Sequence, residues 1–369
     1  IGHQPVDAVE EIWHGLSAPY RPLFDWLLHN APQPSSNAGG AFLPPMLANP
    51  IDRTELDTLD PAHFRAEWKW DGIRVQVASS GGVKRLYSRA GEDVSGAFPD
   101  IVDAIDFEGV FDGELLVRRE TAVAPFNDLQ QRLNRKTVTP KMLKEHPAHV
   151  RLYDVLWLEG RDLRALSFDE RRARLEAWLA LKERPRFDLS PLVSFRDWAH
   201  LAEQREAMRT DGIEALMLKR ADSAYLAGRP KGPWFKWKHD PMLADCVLMY
   251  AQRGHGKRSS FYSDFTFGCW RDGADGKREL APVGKAYFGF TDEELRWLDK
   301  WVRDHTTNRF GPVREVSPGL VLEIAFDGIA RSTRHKSGVA MRFPRINRIR
   351  TDKPADEADT VDSLLRIVP

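Results

Sequence analysis

The chain has 369 residues, 42% of them hydrophobic and twelve of them tryptophan, enough to bury sizeable cores and too apolar for a disordered polymer. Lysine plus arginine and aspartate plus glutamate each number 54, so no overall charge draws the molecule to a polyanion. No apolar run reaches membrane-spanning length, no signal peptide is visible, and two cysteines, Cys246 and Cys269, cannot build a disulfide framework or a cysteine-rich zinc site.

These features fit a reducing, cytoplasmic setting, and Ile1 in first place implies a natural start further upstream. The length predicts two packed domains with an additional segment. Residues 1–36 carry two helical patterns, "AVEEIWHGL" and "PLFDWLLHN". They run into "APQPSSNAGG", whose Pro, Ser, Asn and Gly without apolar periodicity predict a linker. From about Ala41 to Asp240, strand-like runs alternate with helical ones. "HFRAEWKW", "IRVQVAS", "KRLYS", "GVFDGELLV", "VRLYDVLWL", "IEALMLKR" and "WFKWKHD" read as strands. "DERRARLEAWLALKE", with Leu175, Trp178 and Leu179 at helical spacing, and "FRDWAHLAEQREAMRT" read as packing helices.

Beyond Pro241 the texture turns to short strands: "DCVLMYA", "SDFTFGCW", "AYFGF" and "GLVLEIAF". One helix interrupts them, "TDEELRWLDKWVRDH". It opens on a capping box, Thr291 and Glu294, and sets Leu295, Leu298, Trp301 and Val302 on one face. Five or so short strands and one helix suit a small barrel such as an OB-fold. Here the charge departs from its neutral average. Arg331, Arg334, Lys336, Arg342, Arg345, Arg348, Arg350 and Lys353 follow one another with Asp352 as the single acid. Such a run is a phosphate-binding surface or a solvated basic edge strand or loop.

The stretch "RAEWKWDGIRVQVAS", residues 65–79, places Lys69 between two tryptophans and beside Asp71 and Gly72. A lysine amine attacks only when neutral, which costs roughly 4–5 kcal/mol at pH 7 from its ordinary pKa. Neighbouring cations and partial burial reduce that cost. Gly72 permits a tight turn and Asp71 can hold the loop's amides, turning the amine outward. Taken alone, "KWDG" reads as a turn between hairpin strands. Its company changes the reading. Arg74, Arg89 in "LYSRAGED", Glu114 in "FDGELL", Tyr153 in "RLYDVLWLEGRDL" and Glu214 in "IEALMLKR" follow in an order that suits one nucleotide pocket. In "WFKWK", Lys236 and Lys238 share a strand face, where two cations can grip a triphosphate or its leaving pyrophosphate.

The series resembles the covalent nucleotidyltransferase superfamily, and within it the ATP-dependent DNA ligases of bacterial type. The lysine motif is shared with mRNA capping enzymes. "RHKSGVAMRFPRINRIRTDK", with its "RFPR", is similar to the C-terminal motif of DNA ligases, and "FNDLQQRLNRK" and "SRAGEDVSGAFPDI" resemble bacterial members. The resemblance covers about Phe42 to the C-terminus and implies an α+β fold. Residues 1–40 would be a helical remnant and linker. An adenylation (nucleotidyltransferase) domain, with ATP-grasp-like antiparallel sheets and helices, would span 41–240. A β-barrel OB-fold domain with a basic C-terminal motif would span 241–369.

The resemblance also implies roles. Lys69 would attack the α-phosphorus of ATP and hold AMP covalently. Glu67 would contact the adenine amine, Tyr153 would stack on the ring, and Arg74 and Arg89 would contact ribose or phosphate. Glu114, near the ribose, and Glu214 would be the acidic groups of a Mg²⁺ site, with Mn²⁺ as a substitute. Lys236 and Lys238 would offset phosphate charge, and Arg348, Arg350 and Lys353 would orient the pyrophosphate by closing over ATP about a hinge near His239–Met242. Ala215 departs from the usual glycine, and Tyr153 from the commoner phenylalanine while keeping a stacking face. The implied partner is nicked duplex DNA, bound by a monomer of the bacterial nucleoid with no membrane contact. Residues 1–36 would be the trailing edge of a DNA-binding domain absent from this chain.

Other readings stand beside these. An RNA ligase or GTP-dependent capping-type enzyme shares the lysine chemistry, and an OB module could carry a dead transferase domain. A NAD-dependent ligase is disfavoured by the lack of a four-cysteine zinc module. Trp68 and Trp70 read as core or hairpin-lining side chains. Tyr153 has a core alternative, and Glu114 and Glu214 a salt-bridge one. "RGHGKRSSF", with His255, is a loop that touches a DNA backbone or a plain hairpin turn, and no metal is assigned to it.

Overall fold

The computed structural model describes residues 2–13, 16, 19–34, 42–120, 122–133, 135, 137–208, 212–254, 261–273, 276–287, 289, 291–333 and 335–368, without the side chains at 7, 10 and 11. The linker read at 31–40 falls mostly outside them, as do His255 and Arg334. The chain forms two compact units, Ile1–His239 and Asp240–Pro369.

In the first unit, helices Val6–Trp13 and Arg21–His29 pack on each other through Ile12, Leu23, Trp26 and Leu27. Twelve strands follow: β1 Asn49–Pro50, β2 Phe64–Trp70, β3 Ile73–Ser80, β4 Val83–Ser88, β5 Gly109–Arg119, β6 Ala122–Val123, β7 Ala148–Leu158, β8 Arg161–Asp162, β9 Phe187–Leu189, β10 Leu192–Val193, β11 Ile213–Arg220 and β12 Trp234–Lys238. All seven strands expected from the sequence are present. One sheet runs β1-β12-β11-β2-β10; the other runs β4-β3-β5-β7-β8, with β6 on β5 and β9 on β7. The pairs β1–β12 and β7–β9 are parallel, so the sheets are mixed where antiparallel ones were expected.

Helix Phe168–Ala180, closed at its start by a Ser167/Glu170 capping box, lays Leu175 and Trp178 against the core of the second sheet. Helix Trp198–Ala207 covers the first sheet, with Trp198 and Leu201 on Phe64, Leu216, Leu218 and Trp237. A further cluster, including Met46, Ala78, Val110, Leu156, Tyr225 and Trp234, joins residues of both sheets. The segment "KWDG" is not a hairpin turn. β2 and β3 belong to different sheets, and Asp71–Gly72 carries the chain from one to the other. Gly72 is needed for close approach: a Cβ there would lie 2.4 Å from the carbonyl oxygen of Leu115.

The second unit holds β13 Met242–Arg253, β14 Tyr262–Asp272, β15 Arg278–Ala286, β16 Thr306–Phe310, β17 Val313–Val316, β18 Val321–Phe326, β19 Gly328–Arg331, β20 Val339–Arg342 and β21 Arg345–Arg350. β13 is the hub. One edge pairs with β14; the other pairs with β18 over Met242–Val247 and with β17 over Tyr250–Gln252. The sheet wraps one core, including Cys246, Phe265, Phe267, Leu298, Leu322 and Ile324, in an OB-like arrangement. The expected capping box of Thr291 and Glu294 is present, and Leu295, Leu298 and Val302 of helix Asp292–Asp304 are buried. Cys246 and Cys269 are free buried thiols on neighbouring strands, their sulfurs 3.5 Å apart.

One further expectation needs correction. Of the strand read at 286–290, Ala286 closes β15 and Gly289 takes a φ of 111°, outside the range of an extended strand, while Phe288 and Phe290 lie outside the described residues. Part of the basic run forms β20 and β21, in keeping with the basic-strand alternative, although arginine at strand positions masks the alternation of Ile346 and its neighbours. Among the described residues, no helix is long and apolar enough to cross a membrane.

Candidate active site

Lys69 lies near the end of β2, where its neighbour β11 carries a bulge. Trp70 pairs with Ile213 and Lys69 with Ala215, leaving Glu214 as the extra residue. Bulges re-aim side chains. Here the Glu214 carboxylate accepts from Lys69 at one oxygen and from Lys238 at the other, 2.8 Å away. Burial alone would push this carboxyl up, but Lys69 and Lys238 overcome it and hold it down at about 2. Ala215, where a glycine was expected, is fully buried and pairs with both Lys69 and Lys238.

A cavity of about 350 Å³ opens beside Lys69, lined by Glu67, Arg74, Arg89, Glu114, Tyr153 and Lys236 among others. The two sheets thus bring together the nucleotide-site residues expected from the sequence, with Glu214 and Lys238 attached through Lys69. Glu114 stands opposite Arg74 across β3–β5. Burial drives its carboxyl up to about 8 against the pull of Lys69 and Arg74, with Glu214 and Asp71 adding to the rise. Arg74 donates to the Met46 carbonyl and to Asp112, both at 2.6 Å, and to the Tyr225 hydroxyl at 3.0 Å, leaving its buried Nε unpartnered. Glu67 is already engaged: Arg172 Nη1 is 2.9 Å from one oxygen and Lys219 Nζ 2.7 Å from the other.

Four contributors were missed by sequence reasoning. Lys219, 1% exposed, lies 4.6 Å from the centre of the Tyr153 ring and 4.7 Å from that of Trp234. Its place two residues beyond Met217 on β11, on the same strand face, was the available signal. Arg229 lines the cavity with no motif around it, Trp234 opens the quoted "WFKWK" but was passed over for its lysines, and Asp112 is hidden beneath the cavity as the partner of Arg74. Trp68 packs against the core of the first sheet, as read, and also reaches the cavity. Trp70 lines the cavity and is not a hairpin side chain.

Lining cations outnumber lining acids, and three of them, Arg89, Arg229 and Lys236, have no carboxylate within salt-bridge distance among the described residues. Lys236 is shifted down, first by burial and then by Lys238, Arg229 and Lys69. A site with this surplus takes an anion. The described residues hold no group of three metal-ligating side chains. Glu114, with its carboxyl pushed up by burial, and Glu214, with a lysine on each oxygen, fit a hard cation only of the kind that brings most of its ligands from phosphate and water.

In the second unit, Arg350 Nη1 lies 3.3 Å and Lys353 Nζ 2.8 Å from Asp245, and Arg350 also pairs with Asp352 at 2.9 Å. Arg348 is exposed on β21.

Comparison with known proteins gives this geometry its kinship. Residues 45–238 match the family described as ATP dependent DNA ligase domain, and residues 258–353 match the ATP dependent DNA ligase C terminal region. The chain is 40% identical over 332 residues to a probable DNA ligase of Opitutus terrae, covering 81% of this chain and 32% of that one. It is 36% identical over 342 residues to a probable DNA ligase of Koribacter versatilis, covering 86% of this chain and 58% of that one. The chain therefore spans less than two thirds of the length of these relatives, 58% of one and 32% of the other. A solved structure of a Lig E DNA ligase, 20% identical, superposes with a TM-score of 0.58 over 84% of this chain and 100% of that one, a likeness of fold. With its first unit and much of its second matched in order, the chain belongs to the family of ATP-dependent DNA ligases.

Proposed function

We propose that this chain is the catalytic core of an enzyme that seals nicks in duplex DNA with ATP. The observation that carries the proposal is Lys69 at the wall of a cavity whose cations exceed its acids. In the first step the Lys69 amine, freed of its extra proton, attacks the α-phosphorus of ATP. A P–N bond forms, the P–O bond to pyrophosphate breaks, and lysyl-AMP remains. Arg89, Arg229 and Lys236 meet the phosphate charge; Tyr153 offers a face to the base. Phosphoryl chemistry of this kind depends mainly on positioning and charge neutralisation. Glu114 and Glu214 are the residues that would hold a Mg²⁺, which would supply further charge neutralisation.

In the second step a 5′-phosphate oxygen displaces Lys69 from the adenylyl phosphorus. In the third, the 3′-hydroxyl attacks the activated 5′-phosphate and AMP leaves. Arg348, Arg350 and Lys353 are assigned to the first step, orienting the pyrophosphate. We further infer a monomer that works on chromosomal DNA in the cytoplasm.

Incubation with α-labelled ATP, GTP or NAD, followed by a chase with nicked duplex, tests this reading. Label is expected from ATP alone, bound to protein and then released into AMP as nicks close. Lys69→Ala should abolish labelling, and label retained in that variant would refute the nucleophile. Labelling from GTP would favour the capping-type alternative.

A further inference from the structure

The bulge that aims Glu214 interrupts the ladder at the point where the nucleophile must be held still. Lys69 and Trp70 face the slipped register, and the Asp71 amide makes one more bond, to the Gly212 carbonyl at 2.8 Å, before the chain crosses to the second sheet. Backbone pairing at the end of β2 is therefore irregular. Side chains make up the deficit. The Trp70 ring carries the Arg151 guanidinium 4.2 Å from its centre, and its indole nitrogen donates to Ser190 Oγ at 3.0 Å. Arg151 is itself pinned: Nε and Nη2 donate to the two oxygens of Asp188 at 2.9 and 2.7 Å. Arg151 and Asp188 stand in register on the parallel strands β7 and β9, so the clamp is rooted in the second sheet while the ring it grips belongs to the first. A planar guanidinium held at two points by a carboxylate and lying on an indole has little freedom.

We propose that Arg151 and Asp188 are positioning residues for lysyl-AMP formation: they lock Trp70, and through it the adjoining Lys69, against the second sheet. The inference rests on the ligase reading and deepens it. It makes the clamp matter only where Lys69 is the attacking or leaving group. Sealing of a nick that already carries its adenylate does not use that lysine as a nucleophile, so this step should be spared.

Three readouts separate the cases: single-turnover label transfer from α-labelled ATP, equilibrium binding of α,β-methylene-ATP, and closure of pre-adenylylated nicked duplex. Arg151→Met is expected to slow label transfer about tenfold or more, as small misplacements do. Analogue binding and closure of the pre-adenylylated nick should stay within about twofold of the unaltered chain. Trp70→Leu, at a residue that also lines the cavity, should slow label transfer at least as much as Arg151→Met, whereas Trp70→Phe, which keeps a face for the guanidinium, should retain most of the rate. Combining Arg151→Met with Trp70→Leu should cost no more than Trp70→Leu alone, because both break one clamp. Equal losses in all three readouts, full label transfer in Arg151→Met, or additive losses in the pair would overturn the proposal. If Arg151→Met does not fold, the contrast between Trp70→Leu and Trp70→Phe decides in the same way. Absence of both labelling and sealing in the unaltered chain would instead mark failure of the ligase reading itself.

Discussion

Glu214 shows at residue scale why the cleft is both cationic and stable. Its carboxylate takes a hydrogen bond from Lys69 and another from Lys238, and stays ionised because of them. Removing that charge leaves Lys69, Lys236 and Lys238 to repel one another and lets the nucleophile swing. Glu214→Gln should therefore lower single-turnover label transfer about 100-fold, the scale of a misplaced reacting group, with the chain still folded by circular dichroism. A rate within threefold of the unaltered chain would leave Glu214 as a salt-bridge partner only. Lys69 and Tyr153 were legible in the sequence because reactive lysines and stacking aromatics have few other uses in such company. Lys219 was not. A lysine on a strand usually points to water, and only the fold shows this one enclosed by Glu67 and aromatic rings.

The element that organises the site is a row of side chains running across four strands. Register places Arg74, Glu114, Arg151 and Asp188 side by side on β3, β5, β7 and β9, with basic and acidic side chains alternating. Directly opposed residues are the stabilising unit of a sheet. At the end of the row Asp188 is drawn upward by burial, but Arg151 and His149 overcome that and hold its carboxyl down at about 2. The sign follows. A carboxyl with a lowered folded value adds stability above its unfolded pKa near 3.9 and loses it as pH falls through the folded value. The contribution is about 2 kcal/mol at neutral pH. Asp188→Asn should then lower the urea stability of the first unit by about that amount at pH 7, and the gap should close as pH falls from about 4 to about 2. A gap that stays constant over that range would rule the linkage out. The strands themselves were readable from alternation, but their partners were not. "KWDG" reads as a hairpin turn because adjacent strands so often pair, whereas here packing of two sheets against each other decides the path.

At the scale of the whole molecule, a formal charge of zero conceals local excess: the lining of the nucleotide cavity, and the arginines of β20 and β21. If nick binding rests on such patches, affinity should fall linearly with salt on logarithmic axes, by a slope of about −0.9 for each phosphate contacted, and be indifferent to base sequence. Fluorescence anisotropy with nicked duplexes of two sequences, between low and physiological salt, checks this; a flat response would exclude backbone contacts as the source of affinity. Sequence by itself determined which side chains to look for at the cavity, most of the strands and the change of texture near Pro241, because apolar periodicity and residue type are local properties. Only tertiary structure decided which sheet each strand joins, that a bulge presents Glu214 to Lys69, and that Arg151 braces Trp70. Those depend on register and on contacts between residues distant in the chain, which no local pattern encodes.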